Sequence, residues 1–513
     1  MTEKRKYFKN GLLLTLVGLA SRTVALFLGA FISRTVGAEG VGLNSLIMNV
    51  YAFAFTFATA GVQLAVTALT ASLIGEGKAG GVRRILRGAF SYTLIFSSIA
   101  SLLLFTAAGP ISRWIIGNTG ARYCLYVLAL SLIPAGMSSV ICGYFIGVRR
   151  VSFNAAVGIV GQVMRVILTV IFLTRYGGSS VRAVFFLSLG VTVTEASVFL
   201  VSVVLFILDR ARAKKKSTRG CDIRSVAKIS FPLALSAYVR SLLLTVEHSL
   251  IPKRLVKHGL ERGEALKQYG YVGGMALPLL LYPMVPLSAF ASLLVPEFAE
   301  AKGGGRVGRI RKISSLALTV TLAYAISISV FFLTFSEELG YVVYGSAYAG
   351  HFVMQLAPVV PIMYLDHVAD NMLKGIGEQL YSMWVNIFDS LLSVFLVFVL
   401  LPVFGVYGYA LVIIIMECFN FTLSFIRLRR RVPLRINLTR GVLFPFLAML
   451  FASWLVKALF AVRGTAISPI MLTVEIVFTL CIYSAAMILF NLIFWPYKSA
   501  SSTTISPKPE SIA

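Results

Sequence analysis

Apolar runs separated by short polar and basic segments recur along the whole chain. Fourteen stand out, at residues 11–32, 44–74, 88–109, 122–148, 151–174, 183–208, 229–251, 269–296, 314–336, 351–375, 381–401, 407–428, 441–461 and 469–494. A helix rises about 1.5 Å per residue, so about 20 residues cross a hydrocarbon core of about 30 Å. Each run predicts one membrane-spanning helix. The chain is expected to be an all-α polytopic membrane protein with 14 transmembrane helices. The basic start, MTEKRKYFKN, precedes an apolar run as in a signal peptide. That run is long and carries Arg22, so it reads as an uncleaved first helix.

The pattern repeats. Lys9 is followed by Arg22 near the centre of the first run, and Lys228 by Arg240 near the centre of the seventh. The second run ends LTASLIGEGKAGG and the eighth LLVPEFAEAKGGG, so Glu76 and Lys78 match Glu300 and Lys302. Basic loops follow both. Six spans on each side, in one orientation, predict two six-helix lobes related by duplication, with two extra helices at the C-terminal end. Transporters use such repeats to hold a site between halves. The expected domains are an N-lobe at 1–208, a basic linker at 209–228, a C-lobe at 229–428, helices 13 and 14 at 429–494, and a tail at 495–513.

Composition agrees. The 513 residues are 58% hydrophobic and 13% charged, with a net charge of +27. Nucleic-acid binding is the first reading of such a charge. The cations, however, lie in short loops between apolar runs, where they report topology and contacts with anionic lipids. Most fall in loops on the side of the N-terminus, which predicts both termini in the cytoplasm. The five cysteines form no CxxC pair and read as core thiols, with neither a disulfide framework nor a zinc site. No loop exceeds the linker in length, and GxxxxGK[ST], HExxH and GxSxG are absent from the sequence. The chain is therefore not expected to be an enzyme.

The candidate chemistry lies inside the spans. An arginine at mid-bilayer costs about 2.5–3.5 kcal/mol on insertion scales. Arg22, Arg165 and Arg240 each stand at such a depth. Either they face a polar cavity or they staple helices through ion pairs. Asn386 and Asp389 share one helix face, and Glu417 and Asn420 repeat the spacing on the next span. Their oxygens suit Na+, and a carboxylate can carry H+. The other reading is polar glue between helices. Asp366, Asp370 and Lys374 step by four along span 10 as a charge ladder, with His367 beside them as a packing or hydrogen-bonding histidine. Pro278, Pro283 and Pro286 crowd span 8 behind Gly270, Gly273 and Gly274, so that span is expected to kink.

Several stretches resemble the stage V sporulation protein B group. They are GLASRTVALFLGAFISRTVGAEGVGLN at 18–44, MSSVICGYFIGVRR at 137–150, GQVMRVIL at 161–168, GGMALPLLLYP at 273–283 and LVPEFAEA at 294–301. The series YGSAYAG, LAPVVPIMYL and MLKGIGE at 344–378 adds to them. That group belongs to the multidrug/oligosaccharidyl-lipid/polysaccharide exporter superfamily, with its MurJ-type lipid II flippases. The resemblance implies a V-shaped cavity between the lobes, with Arg22 and Arg165 matching cavity arginines. It implies a cation site near Glu247, Asn386 and Asp389, and a lipid-tail groove on helices 13 and 14. Two departures stand out: Gly161 replaces a glutamate, and span 8 carries no arginine.

The expected function is a flippase of undecaprenyl-diphosphate-linked saccharides in the bacterial cytoplasmic membrane. Arg22, Arg165 and Arg240 would bind the diphosphate. Glu247, Asn386, Asp389 and Glu417 would serve coupling, with Na+ or H+ left open and no cofactor or metal. The partners are the lipid-linked oligosaccharide and anionic lipids, with oligomeric state undetermined. The alternative is a cation-coupled multidrug antiporter of the same superfamily. A 14-span major-facilitator exporter fits poorly, because GEGKAGGVRR at 75–84 departs from its GxxxRxGRR loop. A non-transporting scaffold would leave the duplicated charged spans without a reason.

Overall fold

The computed structural model describes residues 3–59, 61–76, 79–212, 222–303, 306–432, 434, 437–461 and 468–494, with side chains from Gly18 onward. The middle of the expected linker, the expected tail, Lys78 and Cys221 lie outside the described residues.

The chain is helical throughout the described residues, with no strand among them. In a bilayer a backbone must satisfy its own hydrogen bonds, and a helix does so within one segment. The first lobe comprises α1 (3–36), α2 (38–59 and Val62–Gly75), α3 (Val82–Pro110), α4 (Ala121–Gly147), α5 (Val151–Tyr176) and α6 (Ser180–Arg212). The second comprises α7 (Ile223–Lys257), α8 (262–303), α9 (Val307–Tyr344), α10 (347–375), α11 (379–404) and α12 (406–431). The two extra helices are α13 (439–461) and α14 (Pro469–Phe494). This matches the 14 helices and two six-helix lobes expected from the apolar runs.

The boundaries differ instructively. Residues 33–43 were expected to form a loop, yet α1 and α2 meet at a single break, Gly37, with φ 75° and ψ 172°. Gly405 breaks α11 from α12 in the same way, at φ 59° and ψ −138°. Positive φ is open to glycine at little steric cost. Hydropathy marks where charges begin, whereas the helices continue past the lipid boundary. Span 8 bends as its prolines and glycines predict. Helix Arg262–Tyr269 runs into a π-helical stretch, Gly270–Ala276, then Leu277–Leu281, and resumes at Met284–Gly303 beyond Pro283.

Helix α7 joins the lobes. Its first half packs on the N-lobe, where the Tyr238 hydroxyl donates to the Phe57 carbonyl at 3.3 Å. Its second half packs on the C-lobe, where Ser393 donates to Glu247 at 2.6 Å and His258 Nδ1 meets the Pro402 carbonyl at 2.9 Å. At the α7 end of the linker, the Ser225 N–H bonds Asp222 at 3.0 Å and Arg84 lies 3.3 Å away. That N–H, and then Arg84, hold the Asp222 carboxyl below its ordinary range. Beyond α9, Lys457 of α13 pairs with Glu338 of α9 and stands 4.0 Å from Glu475 of α14. These charges of α9, α13 and α14 thus meet one another.

Cys124 is buried as expected of a core thiol, whereas Cys481 is exposed on the outer side of α14. The four described cysteines are all free thiols.

Candidate functional site

The lobes are pressed together at the end of the bundle that carries Gly37. There α2 crosses the start of α8 without side chains between the backbones. A Cβ built on Gly42 would lie 2.1 Å from the Leu266 carbonyl oxygen, and one on Gly270 would lie 2.2 Å from that of Ala38. Only hydrogen fits at either place. A buried polar chain reinforces the crossing: Asn49 Nδ2 donates to the Tyr269 hydroxyl at 3.1 Å, and that hydroxyl meets His248 Nδ1 at 3.1 Å. Arg34 donates to the Val342 and Val343 carbonyls, and Arg262 to the Ile116 carbonyl at 3.3 Å.

Away from this seam, two cavities flank α8. The first, about 440 Å3, is bounded by Arg22 and Gly29 of α1, Gly273, Pro278 and Tyr282 of α8, and Tyr344 of α9. Arg22 is exposed to it and has no acidic partner among the described residues. The neighbouring Thr23 hydroxyl is 3.0 Å from that of Tyr282. The second cavity, about 370 Å3, is bounded by Arg240 of α7, Asp366, His367 and Asp370 of α10, Asn386 of α11, and Glu417 and Asn420 of α12. Leu281 lines both. Arg22 and Arg240, the paired arginines of the repeat, thus face adjoining spaces on either side of the α8 bend.

Arg165 sits elsewhere, on α5, with Glu195 of α6 at 3.9 Å. The charge ladder of α10 is only half made: Lys374 and Asp370 pair at 2.6 Å, while Asp366 lines the second cavity without an ion-pair partner among the described residues. Asp366 Oδ1 and Asp389 Oδ1 are buried with no hydrogen-bond partner among the described residues. Asn420 and Arg240 line the second cavity. Glu417 lines the second cavity together with Asp366. Glu247 stands apart on Ser393, with Asp389 as an electrostatic neighbour. Among the described residues no three His, Cys, Asp or Glu side chains converge to hold a metal ion. A cation here would draw on amide oxygens such as those of Asn386 and Asn420.

Sequence reasoning missed the seam and part of the walls. His367, read from the sequence as a packing or hydrogen-bonding histidine, lines the second cavity beside Arg240. Tyr282 and the Asn49–Tyr269–His248 chain carry no spacing signature. Gly270 did carry a signal, as the first of three glycines ahead of the prolines, but its partner Gly42 gave none.

Residues 7–302 match the family described as Polysaccharide biosynthesis protein. Stage V sporulation protein B of Bacillus subtilis (strain 168) is 24% identical over 80% of this chain and 81% of its own length. Lipid II flippase MurJ of the same strain is 23% identical over 70% of this chain and 73% of its own length. A solved MurJ structure, described as the inward closed conformation, superposes with a TM-score of 0.69 at 14% identity, covering 94% of this chain and 99% of that one. An inward-facing multidrug resistance MATE family transporter of the MOP superfamily superposes with a TM-score of 0.65 at 17% identity, covering 82% of this chain and 98% of that one. The chain, a multi-pass membrane protein, belongs to the polysaccharide biosynthesis protein family.

Proposed function

We propose that the protein flips undecaprenyl-diphosphate-linked saccharides across the bacterial cytoplasmic membrane by alternating access. One observation carries this reading: Arg22 and Arg240 face adjoining cavities across the α8 bend. A guanidinium binds phosphate through a fork of donors and stays charged at any physiological pH. Two of them on opposite lobes suit a diphosphate. Arg165 would join only when cargo displaces Glu195, whose contact at 3.9 Å is longer than a hydrogen bond. The polar sugars would pass through the cavities while the apolar tail stays in lipid, with the α13–α14 surface as its groove. No bond is made or broken. With both termini cytoplasmic, the seam closes the outer face, and the cavities lie on the path from inside.

Native mass spectrometry of the purified protein tests this against a panel of lipid-linked sugars. Undecaprenyl-diphosphate saccharides should be retained, and a neutral polyprenyl glycoside should not. The acidic wall formed by Asp366, Asp370 and Glu417 favours a second reading, a cation-coupled drug antiporter. Retention of cationic drugs without any diphosphate lipid would decide for that reading.

In the proposed cycle Asp389 carries the coupling ion, because one of its oxygens is buried and unpartnered beside Asn420 and Arg240. Asp389→Asn should abolish Na+- or H+-dependent transport in proteoliposomes, with melting temperature and cargo binding close to wild type. Unchanged ion dependence would remove Asp389 from the mechanism.

A further inference from the structure

A separate cleft of about 680 Å3 opens on the C-lobe at the sealed end of the bundle, between the starts of α8, α10 and α12. It shares no lining residue with either arginine-lined cavity. Three tyrosines frame it: Tyr271, Tyr348 and Tyr407. Tyr348 is 69% exposed and Tyr407 58% exposed. Tyr271 and Tyr348 lie nearly parallel, with ring centroids 5.8 Å apart and planes 26° apart. Glu264, Glu337 and Gln268 line the same cleft. Gln268 Oε1 is buried and has no partner among the described residues.

We propose that this cleft is a saccharide-binding site. Pyranose C–H faces pack on aromatic rings, while carboxylates and amides take the hydroxyls at the ring edge. The cleft offers both groups, and its size falls in the range of about 300–1,000 Å3 typical of small-molecule sites. Other ligand classes fit less well. Two carboxylates repel a diphosphate and desolvate at a cost under an acyl chain. Lys267, the one lysine in the lining, is tied to Glu264 at 3.5 Å. Gln268 also lines the cleft, and an amide suits a sugar hydroxyl. The site deepens the flippase reading only by giving the sugar a source. Its chemistry stands without that reading, since the diphosphate-binding arginines take no part.

Saturation-transfer difference NMR on the full-length protein in detergent, with free N,N′-diacetylchitobiose as probe, tests the site. Wild type should show transfer to the sugar C–H protons. Tyr348→Ala should weaken binding about five- to tenfold, the size of one aromatic contact. Glu337→Gln should weaken it less. Both variants should melt as wild type does. Arg22→Ala should bind the disaccharide normally, so failure of the diphosphate cavity and failure of this cleft are separable. Competition by an undecaprenyl-diphosphate disaccharide assigns the cleft to the cargo headgroup, and its absence assigns the cleft to free glycan. Tyrosines that serve only as an interfacial belt predict no transfer in wild type, or equal transfer in Tyr348→Ala. Either result overturns the proposal.

Discussion

Arg22→Ala should leave expression and melting temperature near wild type while affinity for a diphosphate-linked saccharide falls roughly 10- to 150-fold. The size follows from one charge-assisted hydrogen bond, worth about 1.5–3 kcal/mol. Stability should be spared because Arg22 has no acidic partner among the described residues and faces open space. Contrast Lys457, whose loss would strand Glu338 and Glu475. Arg22→Lys should recover only part of the affinity, since an ammonium keeps the charge but loses the planar fork. Binding of a neutral lipid-linked control should not change. Paired melting and binding curves for wild type, Ala and Lys decide the matter. A large fall in melting temperature with unchanged affinity would make Arg22 a staple and remove the main support for the flippase reading.

Gly42→Ala should have an equally large effect on conformation. Its added methyl group would lie 2.1 Å from the Leu266 carbonyl, a backbone atom that cannot swing aside. Overpacking of this kind costs about 1–3 kcal/mol, which shifts a two-state equilibrium roughly 5- to 150-fold. The strain exists only while the seam is closed, so the open state gains. The readout is a cysteine at Met275, a buried side chain on α8, in a cysteine-free background. An impermeant thiol reagent applied from outside should label it faster in Gly42→Ala by that factor. Gly29→Ala has open space around it and serves as the control. Equal labelling rates in all three proteins would mean that the crossing does not govern access.

The sequence was most legible where physics is one-dimensional. Apolar length against bilayer thickness predicted 14 helices, and the spacing from Lys9 to Arg22 and from Lys228 to Arg240 predicted the repeated lobes. The bend of α8 followed from its prolines. Less could be read where helices meet. Nothing in the chain says that Gly42 lies against Leu266, because that contact joins residues far apart in sequence. The same holds for Asn49, Tyr269 and His248. Charged residues were legible as a class, but their roles diverged with their neighbours. Lys457 meets Glu338 and Glu475, Arg165 stands with Glu195, and Lys374 of the ladder pairs with Asp370 alone. A helical wheel gives a residue's face, and only packing says what that face meets.

The single-residue elbow at Gly37 has a mechanical meaning. Arg22 lies on one arm of it and Gly42 on the other. At about 1.5 Å per residue, the first arm is about 22 Å long from the elbow to Arg22. With no slack loop between the arms, a pull on the guanidinium acts as torque on the crossing. In the proposed cycle, ligand grip and opening of the seam share one coupling free energy, and such coupling is reciprocal. Whatever factor cargo imposes on the opening equilibrium, Gly42→Ala must return in the affinity for cargo.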